Sequence, residues 1–270
     1  MKLPQKGNNV SRQCPPVGRV LEDIRMMTWR LASTIEEWVK ALRLVYQVYQ
    51  QAGVIQSSKY QLRVTPYHVL PSTDVFVAAE RGTVLATASL IRDGLFGIPA
   101  ETAYPDEIRD WRKQKRVFGE IACLAMEATE QNELRMLLGL LRLAVQYARF
   151  TEHLDDVFLA VHPRHVPFYQ RVLGFEAVGD IRHYPGMTHL PMVLLVLDMT
   201  VLKTKHPRAH ELLFGNRFPP EQLWPTRLPL DQRRLLEPFV DKRFFPVPLS
   251  TDPGFEQCDP AYVTPAASPD

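Results

Sequence analysis

In the stretch 132–150, everything from residue 134 on is apolar except for one stripe: Gln131 just before it, then Arg135, Gly139, Arg142, Gln146 and Arg149. Steps of three and four place these positions on one line, so the spacing predicts a long helix buried on most of its circumference. An earlier helix is predicted over 33–52. Ile35, Trp38, Val39, Leu42, Val45, Tyr46 and Tyr49 share one side, Ser33 and Glu36 form a capping box, and Gly53 stops it. Residues 24–32 read as a first strand. Residues 74–80 and 83–91 read as a hairpin closed by Arg81-Gly82. The run 117–126 (VFGEIACLAM) is apolar apart from Glu120, which predicts a central strand. A shorter strand, 157–161, lies between Asp155-Asp156 and His162-Pro163. Phe168, Tyr169, Val172 and Leu173 then mark one helix face, with Gly174 at its left-handed end. Strands follow from Phe175 and over 192–199. Residues 92–105 form a loop rich in turn formers, a length that usually serves function. After it, a short amphipathic helix over 106–115 runs into the basic cluster Arg112, Lys113, Lys115 and Arg116.

The two ends read differently. Residues 1–19 lack periodicity and are expected to be a flexible tail. Twelve of the 23 prolines lie after residue 200. That composition predicts not an independent domain but an extension, 201–270, wrapped on a core domain of 20–200 and disordered after about 251. A formal net charge of +2 is too small to argue for a nucleic-acid partner, so any basic surface must be local. Cys14, Cys123 and Cys258 are odd in number and far apart, so they suggest neither a disulfide framework nor a metal site. No segment resembles a secretory signal or a membrane span, and a reduced, cytoplasmic protein is expected.

The ordered string strand, His-Pro, helix with Phe-Tyr, Leu-Gly-Phe resembles the C-terminal half of the Gcn5-related N-acetyltransferase (acyl-CoA N-acyltransferase) fold. That resemblance implies an α/β protein with a mixed central sheet, splayed between strands four and five and flanked by helices. It implies a pantetheine arm between 117–126 and 157–161, against Cys123, Leu124, Ala125, Val161, His162 and Phe168, with Tyr169 facing the thioester sulfur. Acetyl-CoA enzymes place a glycine-rich turn after the fourth strand to hold the diphosphate. Here the residues from Met126 are Met-Glu-Ala-Thr-Glu-Gln-Asn-Glu, with Glu127, Glu130 and Glu133 at the helix start. Carboxylates there repel a diphosphate, so free CoA is disfavoured. Acyl-phosphopantetheine borne by an acidic acyl carrier protein suits the site better, as a substrate and with no tightly bound cofactor. Arg112, Lys113, Lys115 and Arg116, with the stripe Arg135, Arg142 and Arg149, are then either the docking surface for that partner or solvated faces.

Several segments narrow the resemblance further. They are RLASTIEEWVKALRLVYQVYQQAGVI, YHVLPSTDVFVA, GLFGIPAE, GEIACLAM and VHPRHVPFYQRVLGF, in this order. Over residues 24–200 they resemble the FeeM-type long-chain N-acyl amino acid synthases, relatives of the acyl-homoserine-lactone synthases. The resemblance implies transfer of a long-chain acyl group from acyl carrier protein to the α-amine of an amino acid. Two departures are visible. Lactone synthases carry Glu-x-x-Arg where this chain has Glu120-Ile-Ala-Cys123, which bears against lactone products, and Gly97-Ile-Pro replaces the expected Gly-Leu-Pro.

Amide formation from a thioester needs a neutral amine, a polarised carbonyl and a protonated leaving thiolate. Glu120 is the candidate general base; its alternatives are an ion pair with Arg92, or binding the amine without taking its proton. Tyr169 is the candidate acid at sulfur, with packing as the rival role. Cys123 lacks a His partner and reads as a small buried residue. His162 and His165 lack a third ligand and Pro163 separates them, so no metal is expected; His162 is expected to orient backbone at the strand end. The competing functions are a CoA-dependent N-acetyltransferase of a small amine, an exosortase-associated acyltransferase and a silent binding module. An idle buried Glu120 is costly, which argues against silence.

Overall fold

The computed structural model describes residues 27–127, 133–184, 187–188, 190–241 and 243. The expected tail (1–19), the end beyond 251, most of the acidic helix start at 127–133, Cys14 and Cys258 lie outside them. Strand β1 (Met27–Leu31) leads into helix α1 (Ile35–Gln51), and strands β2 (Thr73–Glu80) and β3 (Thr83–Arg92) form the hairpin. Helix α2 (Pro105–Lys113) precedes β4 (Phe118–Met126), and helix α3 (Glu133–Phe150) precedes β5 (Asp156–Val161). Helix α4 (Val166–Leu173), short strands β6 (Glu176–Ala177) and β7 (Arg182–His183), and strand β8 (Pro191–Asp198) complete the sheet. Its order is β1-β2-β3-β4-β5-β8-β6, with β7 beside β8, and the β4–β5 pair is parallel.

Local chemistry explains most boundaries. Arg81 and Gly82 both have positive φ, the signature of a two-residue turn whose twist matches a hairpin. The α1 cap, however, sits one residue later than Ser33 and Glu36. Thr34 accepts from the Glu37 amide, while Glu37 accepts from Ser33 N–H at 2.9 Å and from Arg30. Both Ser33 and Thr34 have a Glu three residues on. The register with the extra partner, Arg30, is the one adopted.

The polar stripe of α3 is not a bare solvated face: Arg135, Gly139, Arg142, Gln146 and Arg149 all meet neighbouring elements. Trp29 of β1 presses on Gly139 so closely that a Cβ there would lie 2.2 Å from its indole nitrogen. Arg135 stacks over the same indole, 5.5 Å from the ring centroid. Buried Gln146 donates to Leu213 O at 2.7 Å and Asn216 O at 3.1 Å, and accepts from Phe218 N–H at 2.9 Å. Arg142 donates to Asn216 O and lies 5.6 Å from the Phe218 ring. Arg149 donates to Leu154 O and pairs with Asp155. The stripe is polar at Arg142 and Gln146 because backbone from the last turn of helix α6 (Pro207–Phe214) to Phe218 needs partners where it crosses α3.

In the cluster after α2, Arg112 and Arg116 are engaged by carboxylates of the protein itself, while Lys113 and Lys115 stay exposed. Arg112 forms paired hydrogen bonds to Asp93 (2.9 and 2.8 Å) and to Glu101 (2.9 and 2.7 Å). Arg116 binds the fully buried Asp156, and Asp198 at 2.9 Å, while Trp111 donates to Asp156 at 2.9 Å. These cations anchor the loop 92–105 and α2 to the sheet. Lys113 pairs with exposed Asp110, and Lys115 is exposed in a left-handed turn. We therefore expect Arg112→Glu to cost at least about 2 kcal/mol of stability, because it sets three carboxylates together. Thermal unfolding measures this. A variant that melts with the wild type and only raises the donor KM would return the cluster to a docking role.

Candidate active site

The parallel ladder between β4 and β5 runs Phe118↔Asp156, Gly119↔Val157 and Glu120↔Phe158, and no pairing follows it among the described residues. Beyond that point the strands separate, and a cavity of about 800 Å³ passes between them. A β-bulge lies in the same stretch of β4, where the register against β3 shifts between Thr87 and Ser89. Cys123 takes up the extra residue with φ of 52°, an uncommon conformation for a side-chain-bearing residue. Through it both Ala122 and Cys123 pack with the α1 side of the sheet, and Leu124 returns to the α3 side. The bulge thus re-aims β4 beside the cavity.

The walls differ on the two sides of the sheet. Leu134 and Leu137 of α3, Phe168 and Tyr169 of α4, and His162, Arg164 and His165 form one wing. Tyr49 of α1, Arg63, Thr65, Tyr184, Met187 and Met192 form the other. The structure places Glu120, Tyr169, Cys123, Leu124, Ala125, Val161, His162 and Phe168 together on this one cavity. The Arg112–Arg116 cluster lies instead at the paired end of β4, where the ladder begins.

Glu120 is 2% exposed. Its Oε2 accepts from Ala100 N–H at 2.6 Å, and its Oε1 from Tyr184 Oη–H at 3.3 Å. Ala100 belongs to the 3₁₀ turn Pro99–Thr102 in the GLFGIPAE loop, so that loop orients the carboxylate. Burial pushes its pKa up to about 8, and the two hydrogen bonds offset part of the shift. The alternative pairing with Arg92 does not occur: Arg92 binds Asp74 and Glu152. Tyr169 packs edge-on against Phe168 and Phe175, and burial raises its pKa to about 12. Burial likewise pushes the Cys123 thiol up to about 11, which suits a packing residue and not a nucleophile. His162 Nδ1 accepts from Arg164 N–H at 3.2 Å at the end of β5.

Tyr184 and Arg63 were not singled out by sequence, and Tyr49 was read only as part of the apolar face of α1. Tyr184 follows a two-residue strand with no periodicity, and Arg63 lies in an irregular segment. The turn-former loop was the one available signal for Ala100. Among the described residues no group of three His, Cys, Asp or Glu is arranged to hold a metal, and no helix is long and apolar enough to cross a membrane.

The sequence model of N-acyl amino acid synthase FeeM matches residues 40–198, more than half of the chain. The protein belongs to the FeeM family. Its fold is that of the Gcn5-related N-acetyltransferases, and it is an acyltransferase. FeeM from uncultured soil microbes, an N-acyl amino acid synthase, superposes with a TM-score of 0.58 at 23% identity, over 68% of this chain and 97% of that one. The acyl-homoserine-lactone synthase LasI superposes with a TM-score of 0.50 at 12% identity, over 72% of this chain and 96% of its own. At these identities the two structures speak to fold. No curated protein matches the sequence. The FeeM match ends at Asp198, so helices α5 (Leu202–Lys205), α6 and α7 (Leu230–Arg234) lie outside it.

Proposed function

We propose that this FeeM-family acyltransferase moves a long-chain acyl group from the pantetheine thioester of acyl carrier protein to the α-amine of an amino acid. The observation that carries this reading is the cavity through the splayed sheet, mainly apolar, with Glu120 buried in its wall. A through-sheet passage lets a thioester arrive from the α3–α4 wing and an amine from the α1 wing. The apolar walls suit a fatty chain.

The chemistry follows from the side chains. Glu120, with a pKa near 8, is matched to taking a proton from an ammonium. The freed amine attacks the thioester carbon, and backbone N–H groups on the β5-facing edge of β4, beyond the last ladder pair, polarise the carbonyl. As the tetrahedral intermediate collapses, the C–S bond breaks and Tyr169 gives its proton to the departing sulfur. The second ammonium proton, shed as the amide forms, restores Tyr169. Glu120 returns its own proton to solvent.

The donor preference rests on the glycine-free stretch after Met126 and on the carboxylates Glu127 and Glu133 at its two ends. Exposed Arg164 and His165 on the α3–α4 wing supply cationic and imidazole groups for a single phosphodiester. Initial rates with hexadecanoyl carrier protein and hexadecanoyl-CoA at equal concentration test the proposal. The carrier thioester is expected to turn over well and the CoA thioester poorly. Equal or faster turnover of the CoA thioester overturns the donor assignment.

A further inference from the structure

On the acceptor side of the cavity stands a buried cation that the steps above do not use. Arg63 is 3% exposed and lines the cavity beside Tyr49, Thr65 and Cys123. Its segment is tied to α1 by Arg63 N–H donating to Leu42 O at 3.2 Å. Its guanidinium donates to Asp241, a carboxylate 178 residues away in sequence. The chain around Asp241 is stitched alongside Arg63: Asp241 N–H donates to Val64 O at 2.8 Å, and Val64 bridges Val240 in parallel. Arg243 in turn grips both oxygens of Asp241, at 2.8 and 2.9 Å. The FeeM match ends at 198, so this carboxylate comes from the C-terminal extension.

We propose that Arg63 binds the α-carboxylate of the acceptor amino acid, and that Asp241 is the positioning residue that holds it there. The inference rests on the reading that the acceptor is an amino acid. Such an acceptor carries its ammonium and carboxylate on one carbon, so its chamber needs a proton acceptor and a cation on the same side. Glu120 is the proton acceptor. Among the described residues, the basic ones lining the cavity are Arg63, His162, Arg164 and His165, and the last three lie on the turn after β5, on the other wing. Arg63 and Glu120 share a neighbourhood: burial raises the pKa of both the Tyr49 hydroxyl and the Cys123 thiol, while Arg63 lowers and Glu120 raises each. The carboxylate of Glu120 is held by Ala100 and Tyr184, not by Arg63.

One guanidinium can serve two carboxylates, because its N–H donors form a planar fork with more than one edge. Arg112 does this in the same protein, gripping Asp93 and Glu101 together. Asp241 also balances the buried charge of Arg63. A zwitterionic amino acid then enters without adding net charge to the chamber, whereas an anionic or cationic acceptor does.

The test is a selectivity ratio. The protein amino acids are assayed as acceptors with the wild type. The best of them is then compared with the amine that lacks only its carboxylate, as kcat/KM for the acid over kcat/KM for the amine. In Arg63→Gln this ratio is expected to fall about thirtyfold or more, through the KM of the amino acid and not its kcat. Arg63→Lys recovers part of the loss, and Asp241→Asn lowers the ratio by a smaller factor. Because Arg63→Gln takes from Asp241 one of its two cationic partners and leaves it Arg243, the double variant Arg63→Gln/Asp241→Asn removes both charges of the pair and is expected to fold and to show the same low ratio. A ratio unchanged in the folded double variant overturns the assignment. A wild type that acylates amines but no amino acid overturns the acceptor reading itself, and this inference with it.

Discussion

Replacing Glu120 by Gln lowers the limiting rate by about a hundredfold or more, the usual worth of a positioned base. Gln keeps the shape: its one oxygen accepts from Ala100 N–H, and its NH2 group donates to Tyr184 Oη once the hydroxyl proton turns away. What disappears is the site that takes the ammonium proton. The wild-type rate is expected to rise with pH through about 8, the pKa that burial imposes on this carboxyl, and the variant loses that rise. The same substitution has a stability signature of opposite sense. The folded pKa, about 8, lies above the ordinary 4.5, so the native state holds this proton more tightly than the unfolded chain. Stability from this group is full below 4.5 and is lost as pH rises through 8. Glu120→Gln is therefore expected to be more stable than the wild type at pH 9, by up to on the order of 4 kcal/mol, and nearly equal to it at pH 5. Steady-state rates and thermal melts across that range check both halves. Wild-type kcat in the variant would make Glu120 a structural residue, and pH-independent relative stability would remove the raised pKa.

Arg92→Met is expected to damage the fold more than any surface change. Arg92 lies between two buried carboxylates, Asp74 at 3.3 Å and Glu152, and also donates to Pro71 O at 2.7 Å. Burial pushes the Asp74 pKa up and Arg92 restrains the shift. Burial also opposes the charge on Glu152, but Arg92, Arg227 and Tyr147 outweigh it and hold the pKa below its usual value. Removing the cation leaves like charges facing each other inside the protein, at a cost of about 3–5 kcal/mol. For a chain of this size that is a fall in Tm of about 10 °C or more. Without Arg92 the folded-state pKa of both acids moves up, so the deficit grows as pH rises from 4 to 8. A melt within about 3 °C of the wild type at pH 8 would mean that Arg227 alone suffices for Glu152, and that Asp74 is protonated.

The legible parts of this protein are those whose cause is local. The periods of α1 and α3, the Arg81-Gly82 turn, the left-handed Gly174 and the apolar β4 with its single Glu each depend on residues within about one helical turn or strand. Local spacing therefore predicted them nearly in place. Where two local solutions competed, as at Ser33 and Thr34, a residue from the preceding strand, Arg30, selected one. The order of elements, with the motifs at 120 and 162–175, was enough to point to the acyltransferase fold and to name Glu120 and Tyr169. What a charged side chain meets was not legible. Arg112 and Arg116 read as a basic surface because the carboxylates that neutralise them lie on other elements. The α3 stripe read as a docking or solvated face because nothing in its own period records the backbone at 213–218 that lies against it. Ala100 and Tyr184 reach Glu120 across 20 and 64 residues, and Asp241 reaches Arg63 across 178. Periodicity tells which face of an element is buried, because burial follows from that element's own pattern. Charge partners and the walls of a cavity depend on distances between elements, and only the folded chain sets those distances.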